Sequence, residues 1–250
     1  MQHFSHHYQS DISRQQFDLI RQDLEASRKR THPKHIDPYD IFCAMLYVLK
    51  NGCTWREMSW SKAPTPDKPA LLTQVLKKLS LRRLRQGRSA RTSFVILDAQ
   101  SIKNTATAEN KGYDGGKKIS GIKRHLAVDI NGFPQAIHIT RANITDRDGA
   151  IALVTLNLEQ FKLVRTMMVD SGYTGQNFAN EISSLTSAKV IVVKRNELHQ
   201  FSVIPQRWLI ERSFSWLGNY HRLWRNCERK LNTSLMMVSL AFIRLLLKRY

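Results

Sequence analysis

The sequence contains few acidic residues for its length, with 20 Asp and Glu against 39 Lys and Arg, and its formal net charge is +19. No acidic residue lies between Pro69 and Asp98. A chain this basic attracts polyanions, of which nucleic acid is the commonest, so we expect a nucleic-acid-binding protein. The alternatives for such a charge are solubility alone or association with the ribosome. Five Trp and patterned apolar residues, 42% of the chain, argue against a disordered basic tail.

Cysteine is also scarce. Cys43, Cys53 and Cys227 form no Cys-x-x-Cys pair. This spacing argues against a zinc finger and a disulfide framework, and it favours a reducing cytoplasm. The start of the chain shows no apolar core of a signal peptide. The most apolar stretch, SLMMVSLAFIRLLLK, is interrupted by Arg244 and falls short of the ~20 residues that a membrane span needs. We therefore predict a cytoplasmic, nucleoid-associated protein outside the membrane.

Residues 1–58 are predicted to form a small helical domain that binds DNA. Apolar residues recur at helical spacing in DISRQQFDLIRQDLEAS. A second helix is predicted with Asp37 as its N-cap, Pro38 in its first turn and Gly52 just past its end. Residues 59–92 follow as a linker, SWSKAPTPDKPA, that leads into a basic helix.

The predicted basic helix has one apolar face, formed by Leu72, Leu76 and Leu79. The cations that follow have no balancing anion, which favours contacts with phosphate over the alternative of a solvated helix face. The DNA-binding residues predicted in this segment are Lys77, Lys78, Arg82, Arg83, Arg85, Arg88 and Arg91.

From residue 93 onward, short apolar strands alternate with helices. The predicted strands are SFVILDA, IKRHLAVDI, FPQAIHITR, RTMMVDSG and KVIVVKR, and Asn131-Gly132 predicts a hairpin between the second and the third. The order βββαβαβα, with helices before and after it, indicates an α/β fold with a mixed sheet and helices on its faces. This is the order of the ribonuclease-H-like fold, and residues 93–250 are predicted to form that domain.

A long polar loop is predicted after the first of these strands, at residues 99–121. A loop of this length is usually functional or disordered. Its surroundings are rich in cations, for which we expect phosphate binding. The residues concerned are Lys117, Lys118, Lys123 and Arg124.

Asp98 and Asp170 each end a predicted apolar strand. Open sheets bind ligands at the carboxyl ends of their strands, so both carboxylates enter one crevice if the two strands are neighbours. Two close anions resist ionising together unless a divalent cation lies between them, and Mg²⁺ accepts such ligands. Glu211, on a predicted helix at 205–224, is the candidate third ligand. The alternatives are turn chemistry for the two Asp and a surface ion pair between Arg207 and Glu211.

Other polar residues near these motifs are interpreted more simply. Asp146 and Asp148 lie in the first turn of a predicted helix, where the helix dipole favours acidic residues, and Thr145 is the expected cap. Asp129 lies beside the predicted hairpin turn. His125 is either a core histidine or a group near the metal.

Longer motifs carry a resemblance to a known family. Residues 93–247 resemble the DDE transposases of bacterial insertion sequences, specifically the insertion-sequence-five group, and 36–58 look like the helical N-terminal domain of that group. The motifs that carry the resemblance are LDAQSIKNT, KGYDGGKKISGIKRHLAVD, NITDRDGA, VDSGYTG and RWLIERSFSWLGNYHRLWRNCERKLNTSL.

The resemblance implies a DNA transposase that cleaves the ends of its own insertion sequence and transfers the strands to a target. It implies a ribonuclease-H-like catalytic domain in which Asp98, Asp170 and Glu211 are the catalytic, metal-binding triad. Two Mg²⁺ or Mn²⁺ ions ~3.5–4 Å apart would serve this phosphoryl transfer. Double-stranded DNA is the implied partner, contacted also by Arg207 and Arg222, and a homo-oligomer is expected to assemble on it.

The sequence departs from the group's signature Tyr-x2-Arg-x3-Glu-x6-Lys/Arg at two positions. The Arg and Glu positions fit, but Ile204 occupies the Tyr position and Gly218 occupies the basic position. His221 or Arg222, about one helical turn later, is the expected substitute for the basic residue.

A larger departure lies at residues 58–62. There SWSKAPTPDKP directly follows GCTWREM, where the group usually has a segment that opens a further helix. We interpret this as an internal loss, which leaves the N-terminal domain incomplete. The alternative function is therefore a catalytically silent or end-binding-defective DNA-binding derivative, and a third reading is a non-specific nuclease with the same fold.

Overall fold

The computed structural model of the chain describes residues 8–26, 37–55, 72, 74–76, 78–79, 92–193 and 207–249. The helices are α1 (Arg14–Ala26), α2 (Pro38–Asn51), α3 (Asp146–Thr155), α4 (Leu158–Phe161), α5 (Gln176–Thr186), α6 (Arg207–Gly218) and α7 (Leu231–Leu247). The strands are β1 (Phe94–Lys103), β2 (Gly112–Asp114), β3 (Ile119–Val128), β4 (Pro134–Arg141), β5 (Thr166–Asp170) and β6 (Lys189–Val193). Short 3₁₀ turns lie at Ser171–Tyr173 and His221–Leu223.

Helix α2 begins and ends as its sequence predicts. The Asp37 carboxylate accepts a hydrogen bond from the Tyr39 backbone N–H at 2.9 Å, and Pro38 opens the helix. Gly52 follows the last turn with φ of 75°, a left-handed conformation in which its N–H donates to the Val48 carbonyl. The cap, the proline and the glycine each satisfy or remove an unpaired backbone group at a helix end, which confirms the prediction.

The hairpin between β3 and β4 is also confirmed. Gly132 adopts φ of 79°, which its missing side chain permits. Asp129 is fully buried, and its Oδ1 accepts hydrogen bonds from the Asn131 N–H at 2.7 Å and the Phe133 N–H at 3.0 Å. Asp129 therefore closes the hairpin turn beside which the sequence places it.

The strands form one mixed sheet. β3 pairs antiparallel with β1, β2 and β4, whereas β5 pairs parallel with β1 on one side and with β6 on the other. The sheet order is β2-β3-β1-β5-β6, with β4 beside β3. A mixed sheet flanked by helices in this order is compatible with a ribonuclease-H-like fold, and the predicted α/β class is confirmed.

Two details of the sequence-based prediction are wrong. β1 does not end at Asp98 but continues to Lys103, because it remains paired with β3 as far as Gly121. The predicted polar loop contains the additional strand β2. Lys123 and Arg124 lie within β3, as predicted, in a strand whose residues from Gly121 to Val128 are all buried.

Each face of the sheet has its own hydrophobic core. On one face, α3 and α5 pack through Leu153 and Ile182 against residues such as Leu97 of β1. On the other, α6 and α7 pack against residues such as Ile96. Since successive strand residues point to opposite faces, the alternation of Ile96 and Leu97 assigns every β1 side chain to one core or the other.

The N-terminal helices belong to the second core. Phe17 of α1, Leu46 of α2 and Leu79 are buried in the same cluster as Phe242 of α7. Leu72, Leu76 and Leu79 are helical and buried, which confirms the apolar face predicted for this segment. The predicted boundary at 58/59, with the departure at 58–62, lies outside the described residues, and the division into domains stays a prediction. Within the described ranges, no helix is long and apolar enough to cross a membrane.

Candidate active site

Asp98 and Asp170 lie at equivalent positions on neighbouring parallel strands. The pairing of β1 with β5 places Phe94 opposite Thr166 and Ile96 opposite Met168. Asp98 and Asp170 each lie two residues beyond the last pair, Ile96 and Met168, on their respective strands. Neighbouring strands are about 4.8 Å apart, so this register brings the two carboxylates to the same part of the sheet.

The pairing of β1 with β5 extends as far as Ile96 and Met168, and a cleft lies beyond that point. Both Asp98 and Asp170 line this cleft, and both are partly buried. By alternation they share the sheet face of Ile96, which is the face that α6 and α7 cover. The two carboxylates therefore line one cleft between the strands, although only Asp170 is at a strand end.

Backbone N–H groups hold both carboxylates. Asp98 Oδ1 accepts a hydrogen bond from the Ala99 N–H at 2.7 Å. Asp170 Oδ1 accepts one from the Gly172 N–H at 2.9 Å and so caps the 3₁₀ turn that follows β5. Arg147, on α3, donates from Nε to the Gly172 carbonyl at 3.2 Å and ties this turn to the helix.

Glu211 is placed next to the cleft but does not join the two aspartates. It lies on α6 with its side chain exposed, and its neighbour Ile210 is buried and lines the cleft. No three His, Cys, Asp or Glu side chains in the described part of the chain are grouped closely enough to hold a metal ion. The convergence of all three acidic residues therefore stays a prediction.

The donor set of the cleft nevertheless fits a divalent cation. Two carboxylates are hard oxygen ligands, and Mg²⁺ is usually bound by one or two carboxylates together with waters and substrate phosphates. The cleft is lined by Asp98 and Asp170 together with aliphatic residues such as Val193. Such a cation would also relieve the mutual repulsion of the two carboxylates.

A family model described as a transposase DDE domain matches residues 89–246. The chain belongs to the DDE transposase family. It is also similar to a putative transposase for insertion sequence element IS402 of Burkholderia cepacia, at 28% identity over 117 residues. That match covers 44% of this chain and 55% of the relative, so it spans about half the relative's length. Domains of this family generally use divalent metal ions and bind DNA.

In this transposase domain, Lys123 is part of a buried ionic cluster. Its Nζ lies 2.8 Å from Asp146 and 3.4 Å from Asp114, and it donates to the Ile144 carbonyl at 2.9 Å. Burial alone would raise the pKa of Asp114, but hydrogen bonds from Ser101 and the backbone, with the charge of Lys123, lower it to about 2. The carboxylates of Asp114 and Asp146 therefore neutralise the charge of Lys123 inside the fold.

Arg124 is buried on the opposite face of β3. Its guanidinium donates to the Leu223 carbonyl at 2.7 Å, and burial lowers its pKa to about 10. Side chains this enclosed offer no surface to a DNA phosphate, so the structure contradicts the predicted phosphate contacts of Lys123 and Arg124. The sequence analysis placed both in a strand but expected them to bind phosphate, because their internal acceptors come from distant parts of the chain.

His125 is a core residue of the transposase domain. It is fully buried, and its Nε2 shares a hydrogen bond with the Thr140 hydroxyl at 2.9 Å. Gly149 of α3 lies so close to the imidazole ring that a Cβ at this position would collide with it. Burial, reinforced by His138, lowers the pKa of His125 to about 3. The first of the two readings of His125, a core histidine, is the one that the structure supports.

The other predicted DNA-binding cations differ in their environments. Lys117 and Lys118 lie in the exposed turn between β2 and β3. Lys78 pairs with Asp23 at 2.8 Å. Arg222 is mostly buried, bound to Glu228 at 2.8 Å and to the Cys53 carbonyl at 3.1 Å, so it is not placed as an exposed substitute for the missing basic residue. Outside the described residues or side chains lie Lys77, Arg82, Arg83, Arg85, Arg88, Arg91 and Arg207.

Sequence reasoning missed two residues beside the cleft, Arg147 and Tyr173. Arg147 stabilises the turn after Asp170, and Tyr173 ends that turn with its side chain buried. Both belong to motifs singled out above, NITDRDGA and VDSGYTG. The motifs therefore indicated the right segments of the chain. The contact between Arg147 and the Gly172 carbonyl joins two separate elements, so neither motif alone predicts it.

Proposed function

We propose that this chain is a DNA transposase that cleaves the ends of its insertion sequence and transfers the strands by metal-dependent phosphoryl transfer. The observation that carries the proposal is that Asp98 and Asp170, on two neighbouring parallel strands, line one cleft in a domain of the DDE transposase family. Rigid strands hold ligands more accurately than loops do, which suits a reaction that depends on positioning.

Asp98, Asp170 and Glu211 are proposed to hold two Mg²⁺ or Mn²⁺ ions. When bound, these ions would activate the attacking oxygen and stabilise the leaving oxygen. Asp98 and Asp170 contribute carboxylate oxygens from the sheet. Glu211 contributes from α6, which must bring its exposed side chain toward the cleft beside Ile210. No covalent protein–DNA bond is required, because water and then the freed 3′-hydroxyl are the attacking groups.

The positive charge needed to bind DNA lies almost entirely after residue 58. Residues 1–58 contain 8 Lys and Arg against 7 Asp and Glu, whereas residues 59–250 contain 31 against 13. We therefore propose that DNA phosphates contact the basic segment at residues 77–91 and the catalytic domain more than they contact the N-terminal helices. Lys117 is well placed for this role, because its partly exposed side chain reaches within 3.4 Å of the Ala99 carbonyl, next to Asp98.

The test is cleavage of a supercoiled plasmid that carries the gene with its flanking DNA, in the presence of Mg²⁺ or Mn²⁺. Asp98→Asn, Asp170→Asn and Glu211→Gln should each reduce cleavage at the element boundaries to background while binding of the same DNA persists. Asp18→Asn is the matched control, because Asp18 is an exposed carboxylate that forms an ion pair within α1, with Arg21 at 2.9 Å. A variant of the three that cleaves at the wild-type rate would remove its residue from the proposed site.

The second candidate function is a catalytically silent DNA-binding derivative that acts as a repressor of its element. The observation favouring it is that Glu211 is exposed and that no three acidic, His or Cys side chains among the described residues are grouped closely enough to hold a metal ion. The two functions differ in the same assay. The silent derivative binds the flanking DNA and never cleaves it, with Mg²⁺ or with Mn²⁺.

A further inference from the structure

Aromatic and arginine side chains alternate along one side of α6. The Arg212 guanidinium lies 4.6 Å from the centroid of the Trp208 ring and 4.9 Å from that of Trp216. The Arg249 guanidinium lies 4.4 Å from the centroid of Trp216 and 5.0 Å from that of Phe133. Trp208, Arg212 and Trp216 are spaced four residues apart, so they share one stripe of the helix. We call these five side chains the aromatic–arginine row.

The row is held in place by the hairpin between β3 and β4. Arg212 Nη2 donates to the Asn131 carbonyl at 2.8 Å. The neighbouring Ser213 is fully buried, and its hydroxyl lies 2.7 Å from the Gly132 carbonyl. A guanidinium fixed in this way is attracted to the face of the Trp208 ring and restricts its motion. A ring that is already ordered loses less entropy when a partner binds to it.

Trp208 is the open end of the row. Its side chain is 49% exposed even though Arg212 lies over its ring, whereas Arg212 and Trp216 are partly buried. Single exposed apolar residues are common and need no explanation. An exposed indole that belongs to an ordered row is different, because flat rings bind other flat rings by offset stacking.

Trp208 is also a neighbour of Glu211 on the exposed side of α6. Residues three apart on a helix have Cβ atoms about 5–6 Å from each other. Ile210, between the two in sequence, is buried and lines the cleft. One nucleotide step along a DNA strand is about 3.4 Å. When a phosphate lies at the metal centre proposed for Glu211, the next one or two nucleotides are therefore within reach of Trp208.

The charges of the row suit a nucleic acid. Arg212 and Arg249 place two cations beside the rings, in a chain of net charge +19. Burial, together with the charge of Arg212, lowers the pKa of Arg249, which shows that the two cations act on each other. Aromatic rings that stack on bases, beside cations that attract phosphates, are the combination by which proteins bind single-stranded DNA. Bases inside a duplex are stacked on both faces, so an indole can stack only on a base that is unpaired or lies at a strand end.

We propose that Trp208 is a substrate-binding residue whose indole ring, held by Arg212, stacks on an unpaired DNA base next to the phosphate at the cleft. The inference rests on the proposed function, because that function brings DNA to Glu211. Breaking a strand leaves a base near the break without one of its stacking neighbours. The Trp208 ring would take the place of that neighbour and hold the strand end beside the carboxylates.

The test compares two DNA duplexes of equal length, one fully paired and one with a short mismatched bubble, so that their ends are identical. Affinities are measured by fluorescence anisotropy at physiological salt without divalent metal. The wild type should prefer the duplex with the bubble. Trp208→Leu should weaken binding of that duplex about 5–150-fold, the range for the loss of one stack between a base and an aromatic ring, and should leave the affinity for the paired duplex unchanged. Trp208→Phe, which keeps an aromatic ring, should retain most of the preference.

Trp224→Leu is the matched control. Trp224 is 61% exposed, but its ring packs against His221 with the centroids 4.4 Å apart, and its Nε1 donates to the Gly218 carbonyl at 2.6 Å. Its replacement should leave both affinities unchanged. A preference that is lost in Trp208→Leu and retained in Trp208→Phe distinguishes stacking by the ring from a general effect of an apolar side chain on the fold.

The outcomes separate this inference from the proposed function. If Trp208→Leu keeps the wild-type preference for the bubble, or Trp224→Leu loses it equally, the role of Trp208 is refuted while cleavage that depends on Asp98, Asp170 and Glu211 still supports the proposed function. A Trp208→Leu protein that keeps the preference but changes its mass in solution would make the row a contact between copies of the chain. If the wild type never cleaves the element boundaries, the proposed function fails, and the position of Trp208 beside a reacting phosphate is refuted with it.

Discussion

The buried imidazole of His125 should make the folded protein sensitive to mild acid. Its ordinary pKa of 6.5 is lowered to about 3 in the fold, chiefly by burial, with His138 and Lys123 adding to the effect and Asp146 opposing it. A group with a depressed pKa in the fold contributes stability above its unfolded pKa. That stability is lost progressively as the pH falls from 6.5 toward 3.

The magnitude at pH 5 follows from this difference. There the unfolded chain protonates His125 almost completely, whereas the folded chain keeps it neutral. The pH lies 1.5 units below 6.5, and one unit corresponds to about 1.4 kcal/mol, so the fold should lose about 2 kcal/mol relative to pH 8. Asp114, with a pKa lowered to about 2 from 3.8, loses its contribution only in stronger acid and does not interfere.

The assay is urea unfolding at pH 8 and pH 5 for the wild type, His125→Gln and His221→Gln. Glutamine can keep the hydrogen bond to Thr140 without titrating. The loss of unfolding free energy on acidification should be about 2 kcal/mol smaller in His125→Gln. It should be unchanged in His221→Gln, because His221 is exposed. An equal loss in all three proteins would refute the reasoning.

Three further predictions concern packing and DNA binding. Gly149→Ala should cost about 1–3 kcal/mol of unfolding free energy in urea, because its Cβ collides with the core, whereas Gly115→Ala, which meets nothing, should be neutral within about 0.5 kcal/mol. The affinity for duplex DNA should fall by about 10³–10⁵-fold between 50 and 200 mM salt, and an affinity that does not change with salt would contradict this prediction. Lys117→Met should reduce the slope of log affinity against log salt concentration by about 1, whereas Arg124→Met should leave the slope unchanged. If 58–62 marks a loss from the DNA-binding part, competition at physiological salt should show less than about a hundredfold preference for the element's terminal repeat over random duplex, against a usual ~10³–10⁷.

Local features were predictable because short-range chemistry determines them. The Asp37 cap, the left-handed Gly52 and the turn at Asn131-Gly132 depend on residues a few positions apart, and the structure shows each as expected. Thr145 likewise accepts from the Asp148 N–H at 3.1 Å and caps α3. At such sites, a side chain or a missing side chain satisfies the backbone within its own turn, so no distant partner is needed.

Features that depend on strand pairing were not predictable in the same way. Asp98 follows four apolar residues and looked like a strand end, yet β1 continues through it because β3 pairs with both halves of the strand. The apolar pattern stops at Asp98 for a different reason, since from there the strand borders the cleft rather than β5. A carboxylate within a strand and one at a strand end look alike in sequence when the neighbouring strand is unknown.

Cations inside the sheet were the largest error. Lys123, Arg124 and His125 are three consecutive polar residues, and from the sequence alone such residues are expected to be exposed to solvent. Each instead has a partner from elsewhere in the chain, and these partners are the acidic pair Asp114 and Asp146, the Leu223 carbonyl and the Thr140 hydroxyl. Such groups can be buried only when they have partners of this kind, and the sequence of β3 does not indicate which residues those partners are.

Part of the long C-terminal motif has a similar structural explanation. The Asn226 amide donates to Asn104 at 2.9 Å and its oxygen accepts from the Ser234 hydroxyl at 2.6 Å. Arg222 and Glu228 form a mostly buried ion pair. The contacts of Asn226 attach the segment between α6 and α7 to the end of β1. This part of the motif therefore has a role in the fold that does not depend on contact with DNA.

The central claim is that Asp98 and Asp170 bind the same metal centre, and metal-directed backbone cleavage tests it most directly. Fe²⁺ is substituted for Mg²⁺, ascorbate and peroxide are added, and the sites at which the protein chain breaks are mapped. The account predicts breaks close to both Asp98 and Asp170, and the loss of both in Asp98→Asn and equally in Asp170→Asn. Breaks near only one aspartate, or a break at one that survives substitution of the other, would contradict a shared site.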